Sequence, residues 1–334
     1  MSLSPARMTW RLLSDARYQL AALALCPLGT GEGTGTDADA TPPYPDLSGI
    51  CQKIPCLLVQ EDAQRLPSGQ LDALLAAGCT IANREMIGSV DAVTLQPEPA
   101  SARYFAGDWY LQAPGKLAGK QGGSRALALK LAQLIANDAE TREIEEIFRQ
   151  DPALAYNLLK LVNSAGLGCT RSIDSFAQAI LFLGRRQLRR WLNLLLFAAK
   201  KEDARSALLL ARVAVRACML ERLFREMGYD KEGQERAFMV GMFSLLGVLF
   251  GMPLADVLRP LKLDKDLTQA LLERQGELGT LLQAVEALEQ GKQAQTHALL
   301  EPLLPGEVHL DRLWLDANVW MLDLVRDQGG RRGG

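Results

Sequence analysis

Histidine is nearly absent from this chain: two occur in 334 residues, and the first is His297. A centre built from several imidazoles has nothing to draw on before that point. His297 and His309 have no second histidine or cysteine at ligand spacing, so no chemistry is assigned to them. Excess charge is lacking too. Lys and Arg number 37 against 39 Asp and Glu, a formal net charge of −2, so no overall field draws the protein to nucleic acid or an anionic membrane, and a polyanion site has to be a local patch. Cysteine is sparse, six in all (Cys26, Cys51, Cys56, Cys79, Cys169 and Cys218). Scattered through a chain of this size, they read as reduced thiols of a cytoplasmic protein, and Cys51 with Cys56 lacks the second pair or the histidine that completes a zinc site. The first twenty residues have arginines but no apolar core of signal-peptide length, so secretion is not expected. A phosphate loop is missing as well. Residues 29–45, GTGEGTGTDADATPPYP, have alternate glycines but no helix directly after them, which suits a flexible surface loop and not a pyrophosphate cradle.

What the chain does have is hydrophobic residues, 48% of the total, enough for a substantial core, and a length that allows two domains. Apolar runs at residues 19–28, 54–60, 79–84 and 91–97, with a helical stretch at 61–77, predict a small α/β domain with parallel pairing over residues 1–113. Composition shifts at PGKLAGKQGG, residues 114–123, which reads as a linker. Helix signals then run from 124 to 326, and residues 327–334 form a frayed tail. Within the helical part Asp151 caps a helix with Pro152 at its first position, and Leu154, Leu158, Leu161 and Val162 form its buried stripe. Asn163 and Ser164 end that helix, and Gly184 stops the next one, which opens on the capping box Ser175 and Gln178. Residues 237–255, AFMVGMFSLLGVLFGMPLA, are free of charge and long enough to span a bilayer. Their glycines, Pro253 and the lack of an aromatic belt instead predict a helix buried on all sides.

The segment DPALAYNLLKLVNSAG, then SFAQAILFLG, then LRRWLNLLLFAA, resembles the HDOD domain, a helical module related to HD-type metal phosphohydrolases. The likeness rests on the Asp-Pro cap, the Asn-Ser helix end and the Ala-Ile-x-x-Leu-Gly helix, in order, and extends over about residues 125–282. YFAGDWYLQAPGK, residues 104–116, is similar to the last strand and linker of an EAL phosphodiesterase barrel of the kind fused to HDOD domains in cyclic di-GMP signalling proteins of bacteria. The fold class this implies is a two-domain α+β protein: a small α/β domain, the truncated remnant of an EAL barrel, followed by an all-α HDOD domain.

The resemblance also says what is missing. HD enzymes of this branch have a motif like Gly-Leu-Leu-His-Asp-Ile-Gly-Lys-Leu, and the matching stretch is GMFSLLGVL, residues 241–249. Ser244 stands at the histidine position, Leu245 at the aspartate and Val248 at the lysine, so the degenerate site is expected to bind no metal and the former pocket to have become hydrophobic core. GCTIANREM, residues 78–86, offers Ala82 and Asn83 where an EAL enzyme has paired aspartates. The tripeptide EAL at 286–288 lies on a helix of the other domain and reads as an accident of composition.

Among the remaining candidates, Arg185, Arg186, Arg189 and Arg190 place four guanidiniums on adjoining faces of one helix. Such a patch can accept a nucleotide, an acidic partner or the chain's own acidic helix at 140–146, or be a plain solvated face. Asn163 and Ser164 suit backbone capping better than ligand binding. Trp314 and Trp320 suit sealing of the helical bundle. The reading that follows is a non-enzymatic signalling scaffold in the cytoplasm, acting through protein contacts, with no cofactor, membrane or nucleic acid. The alternatives are a nucleotide sensor, for example of cyclic di-GMP, and a residual metal-dependent phosphohydrolase.

Overall fold

The structure, a computed structural model, describes residues 8–27, 47–112, 130–134, 137, 139–140, 143–144, 146, 184, 188, 190, 192–194, 204–261, 263–304 and 308–329. Its first part is one curled mixed sheet of seven strands: β1 (Met8–Ser14), β2 (Leu20–Pro27), β3 (Cys56–Val59), β4 (Thr80–Ala82), β5 (Ile87–Val90), β6 (Pro97–Glu98) and β7 (Tyr104–Ala106). They lie in the order β4-β3-β2-β1-β7-β5-β6. Three helices accompany them: α1 (Leu47–Cys51), α2 (Gln60–Ala63) and α3 (Ser68–Ala76).

The expected EAL-barrel remnant is overturned by this sheet. A piece of such a barrel consists of parallel strands, each followed by a helix. Here only β2, β3, β4 and the β5–β7 pair run parallel, whereas β1 pairs antiparallel with β2 and with β7, and β5 antiparallel with β6. The physical reason is the length of the connections. Residues 15–19 and 91–96 are too few to carry a strand back in the same direction, so each closes a hairpin. In the first hairpin the Asp15 carboxylate accepts the amides of Arg17 and Gln19, both at 2.9 Å, and Tyr18 adopts φ +62°. In the second, Asp91 accepts from the amides of Val93 (3.0 Å) and Thr94 (2.6 Å). The run 91–97, expected as a strand, is therefore mostly a turn. The helical stretch expected at 61–77 is two helices interrupted at Pro67, where the chain is extended (φ −55°, ψ 142°). Strand β1 has no counterpart in the sequence reading. The loop at 29–45 and the linker at 114–123 lie outside the described residues.

The described residues from 204 to 329 are mainly helical: α4 (Ser206–Glu226), α5 (Lys231–Phe243), α6 (Leu246–Phe250), α7 (Leu254–Leu258), α8 (Lys265–Glu273), α9 (Gly276–Glu289), α10 (Gln293–Leu300) and α11 (Leu310–Gly329). The apolar run at 237–255 is buried or half-buried as far as Gly251, but Met252, Pro253 and Ala255 are exposed, and the run is not one helix. It breaks at Ser244 and Leu245, and Gly251 ends α6 in the left-handed conformation (φ +59°). The segments 231–250 and 254–261 meet at 114°. Among the described residues no single helix is long and apolar enough to cross a membrane. Trp314 is buried and Trp320 meets Phe238 edge-on at 6.0 Å, which seals α11 against α5.

Helix α4 is the centre of the helical part, with residues 208–220 buried without a break. One contiguous apolar core includes Met8, Trp10, Leu23 and Leu25 of the sheet together with Leu209, Val213 and Leu220 of α4. Alternate sheet residues, Leu13, Ala22, Ala24, Leu57 and Tyr104, form a smaller second cluster, as the two-residue period of strands requires. The Thr9 hydroxyl donates to the Leu288 carbonyl of α9 at 3.0 Å, and the Lys53 ammonium pairs with Asp323 of α11.

Candidate functional site

A helix as apolar as α4 cannot leave a guanidinium unpaired in its interior, because burying an isolated charge costs many kcal/mol. Arg212 and Arg216, four residues apart on one face, are each about 5% exposed. Both find partners where α4, the end of α5, α9 and the segment that follows β7 meet. Arg216 clasps Glu289 with two bonds, Nε to Oε1 at 3.0 Å and Nη2 to Oε2 at 2.6 Å, the bidentate geometry that suits carboxylates. Its Nη1 donates to Ser244 Oγ at 2.9 Å and to Glu286 Oε1 at 3.2 Å. Glu286 also accepts from Arg274, at 2.9 and 3.1 Å. Arg212 donates through Nε and Nη2 to the Tyr110 phenol oxygen, at 2.9 and 2.6 Å, and lies 3.6 Å from Asp108 and 3.9 Å from Glu289. Three guanidiniums thus meet three carboxylates, and Tyr110 and Asp108 bring the segment that follows β7 into the network.

Burial alone would push the Glu289 carboxyl up. The charges of Arg216 and Arg212, with the Arg216 hydrogen bonds, hold it below the usual carboxylate range. Burial pushes the Tyr110 phenol up against the pull of Arg212, so it stays neutral and accepts both N–H groups. A carboxyl whose folded pKa lies below its unfolded value, about 4.3 for Glu, contributes stability above that value and loses it as pH falls through the folded pKa. Urea midpoints of the wild type are therefore expected to fall between about pH 6 and about pH 3, more steeply than those of Glu289→Gln. Equal slopes for the two proteins would remove Glu289 from this account.

The residues at the former HD positions fall into this setting in different ways. Leu245 is buried and Val248 is half-buried against the core. Ser244 departs from the expectation of pure hydrophobic core: its hydroxyl donates to the Gly241 carbonyl at 2.7 Å and accepts from Arg216. A guanidinium bonded to Ser244, the residue that the resemblance sets against the family's histidine, does not fit a metal dication, since it offers no lone pair and repels a second cation. Among the described residues no group of three or more His, Cys, Asp or Glu is placed to hold a metal ion.

The arginine patch is divided. Arg190 pairs with Glu221 at 2.6 Å and Glu235 at 2.7 Å, and its guanidinium lies 4.3 Å from the centre of the Phe238 ring. It is engaged inside the fold and does not offer a free face. Arg185, Arg186 and Arg189 lie outside the described residues, as do Asp151, Pro152, Asn163 and Ser164. Gly184 has φ +68°, the conformation that ends helices at glycine. The Glu286 of the chance EAL tripeptide turns out to be a member of the buried network. Asn83 caps the short turn of 3-10 helix that follows it, accepting from the Met86 amide at 3.2 Å. His297 lies 3.5 Å from Glu301. Sequence reasoning missed Tyr110, Arg212, Arg216 and Glu289. The signal was present in ALLLARVAVRACML, residues 207–220, where two arginines interrupt a helix that is otherwise apolar all round.

Residues 126–258, which include Arg212, Arg216 and Ser244 of this centre but not Tyr110, Arg274, Glu286 or Glu289, match the HDOD domain family, so the chain carries an HDOD domain over that segment. Two curated proteins are similar to it. One is the cyclic di-GMP phosphodiesterase CdgJ of Vibrio cholerae, 34% identical over 146 residues, which is 44% of this chain and 33% of that protein. The other is the Bacillus subtilis protein YuxH, 26% identical over 198 residues, 58% of this chain and 47% of that one. The matches thus span between a third and a half of these relatives' lengths. A solved structure of a candidate phosphohydrolase from Shewanella amazonensis SB2B aligns with 60% of this chain and 93% of its own at 16% identity, with a TM-score of 0.41.

Proposed function

We propose that this chain is a non-catalytic signalling protein that works through contacts with other proteins. The observation that carries this reading is the Arg216 guanidinium bonded to Ser244 at the position where HD enzymes need a metal-ligating histidine. The HDOD domain and the likeness to a protein named as a cyclic di-GMP phosphodiesterase support a place in cyclic dinucleotide signalling. That name also favours a second reading, in which the chain binds such a nucleotide as a sensor without cleaving it. For an acidic protein partner, the arginines assigned on sequence are Arg185, Arg186 and Arg189, since Arg190 is already paired.

The full chain, incubated with cyclic di-GMP and added manganese, is expected to release no linear dinucleotide above the buffer rate. Calorimetry on the same sample separates the two readings, because a sensor gives saturable heat and a scaffold gives none. Turnover that scales with protein concentration and disappears in Ser244→Ala would overturn both.

A further inference from the structure

Three of the cysteines come together at one end of the parallel strands. Strands β3 and β4 run in register with Leu57 opposite Thr80. Cys56 and Cys79, one the first residue of β3 and the other immediately before β4, therefore begin neighbouring strands. Cys51, the last residue of α1, sits beside them with its Sγ 3.9 Å from that of Cys79. The approach is close because residue 78 is a glycine. A Cβ there would stand 3.0 Å from Cys51 Cβ, and the backbone at 78 has φ +104°, which other residues rarely adopt. The thiols differ in access: Cys51 is partly exposed, whereas Cys56 and Cys79 are buried at 1% and 4% exposure.

We infer that Cys51 and Cys79 form a peroxide-reactive thiol pair that closes into a disulfide. Cys51 is the attacking member because it alone of the three is open to solvent and two thiols can stabilise its anion. Hydrogen bonds from Cys56 first, and then from Cys79, pull its thiol down from the ordinary range, while those same bonds and burial push Cys56 and Cys79 up. The Cys51 thiolate attacks one oxygen of hydrogen peroxide, the O–O bond breaks, and hydroxide leaves and takes up a proton, giving a sulfenic acid on Cys51. The Cys79 thiol then attacks that sulfur. The S–S bond forms, the S–O bond breaks, and the hydroxyl departs with the Cys79 proton as water. Two thiols are oxidised and one peroxide is reduced to two waters. Closing the gap from 3.9 Å to a bond of about 2.05 Å is a movement that side-chain rotation can supply. Cys79 is the resolving thiol because its sulfur is in contact with that of Cys51 at 3.9 Å, whereas the Cys56 S–H has the Ile54 carbonyl at 3.6 Å as an alternative acceptor. The bond would tie the end of α1 to the turn before β4. Two residues beyond Cys51, Lys53 pairs with Asp323, so oxidation acts where the sheet domain meets α11.

The test uses the full chain, reduced, desalted and treated with hydrogen peroxide at neutral pH, then alkylated in denaturant and mapped by peptide mass spectrometry. The expected result is a loss of 2 Da, from two thiol hydrogens, and a Cys51–Cys79 linked peptide in the wild type and in Cys56→Ser. In Cys79→Ser a dimedone adduct should appear on Cys51, and in Cys51→Ser neither product. The wild-type map reads the linkage even if a variant folds poorly. In native labelling with iodoacetamide near neutral pH, Cys51 is expected to react more than about tenfold faster than Cys26, a comparably exposed thiol that burial pushes up. A bond through Cys56, equal labelling of Cys26 and Cys51, or a wild type whose Cys51 stays reduced at peroxide levels that oxidise free cysteine would each overturn the inference.

Discussion

Replacing Arg216 by methionine is expected to lower the unfolding free energy by about 3–5 kcal/mol, because it leaves Glu289 a buried carboxylate without its main partner. The two side chains are 5% and 6% exposed, so water cannot take over the lost bonds. Arg212 offers little relief, since it stands 3.9 Å from Glu289 and is already bonded to Tyr110. Against a total stability of roughly 5–15 kcal/mol for a folded domain, such a loss is large. Changing both partners, Arg216→Met with Glu289→Met, is expected to recover most of it, because two apolar side chains carry no desolvation cost. Urea midpoints at constant slope measure both effects. A single variant that costs under about 1 kcal/mol, or a double variant no better than the single, would show that the network is not a coupled buried pair.

Gly241→Ala tests the packing of α5 on α4. A Cβ at 241 would lie 2.5 Å from the Ala217 Cα and 2.8 Å from its nitrogen. Those are backbone atoms, which cannot rotate away, so the two helices must separate. The expected cost is about 1–3 kcal/mol, from overpacking of a filled core. Gly69→Ala is the control: it lies in α3, nothing stands within 4 Å of its added Cβ, and its backbone needs no positive φ. That change is expected to be neutral or to stabilise by up to about 1 kcal/mol, through a smaller unfolded-state entropy. Similar losses for the two variants would mean that the helix contact at Gly241 is looser than its geometry states.

The two substitutions probe the two things that local pattern reading treats worst, buried charge and close backbone approach. Periodicity located β2, β3, β4 and the helical part, because those signals repeat within a few residues. The hairpin direction of β1 and β2 was not legible in that way. Apolar runs look the same whether their strands run parallel or antiparallel, and the reading of a barrel remnant failed there. The helix break at Ser244 was hidden for a similar reason: residues 237–255 are apolar on both sides of it, and the hydrogen bonds that mark the break include one from Arg216 of α4, 28 residues earlier in the chain.

For the candidate site, the sequence by itself determined that GMFSLLGVL holds no histidine, aspartate or lysine. It also determined that α4 has to bury two arginines, since the other residues from 207 to 220 are apolar on every side. Only the tertiary structure decided what those arginines meet. Tyr110, Ser244, Glu286 and Glu289 come from segments far apart in the chain, and no local signal couples residue 216 to residue 289. Their pairing follows from three helices and the segment that follows β7 closing on one point, where each buried charge has to be matched by an opposite one.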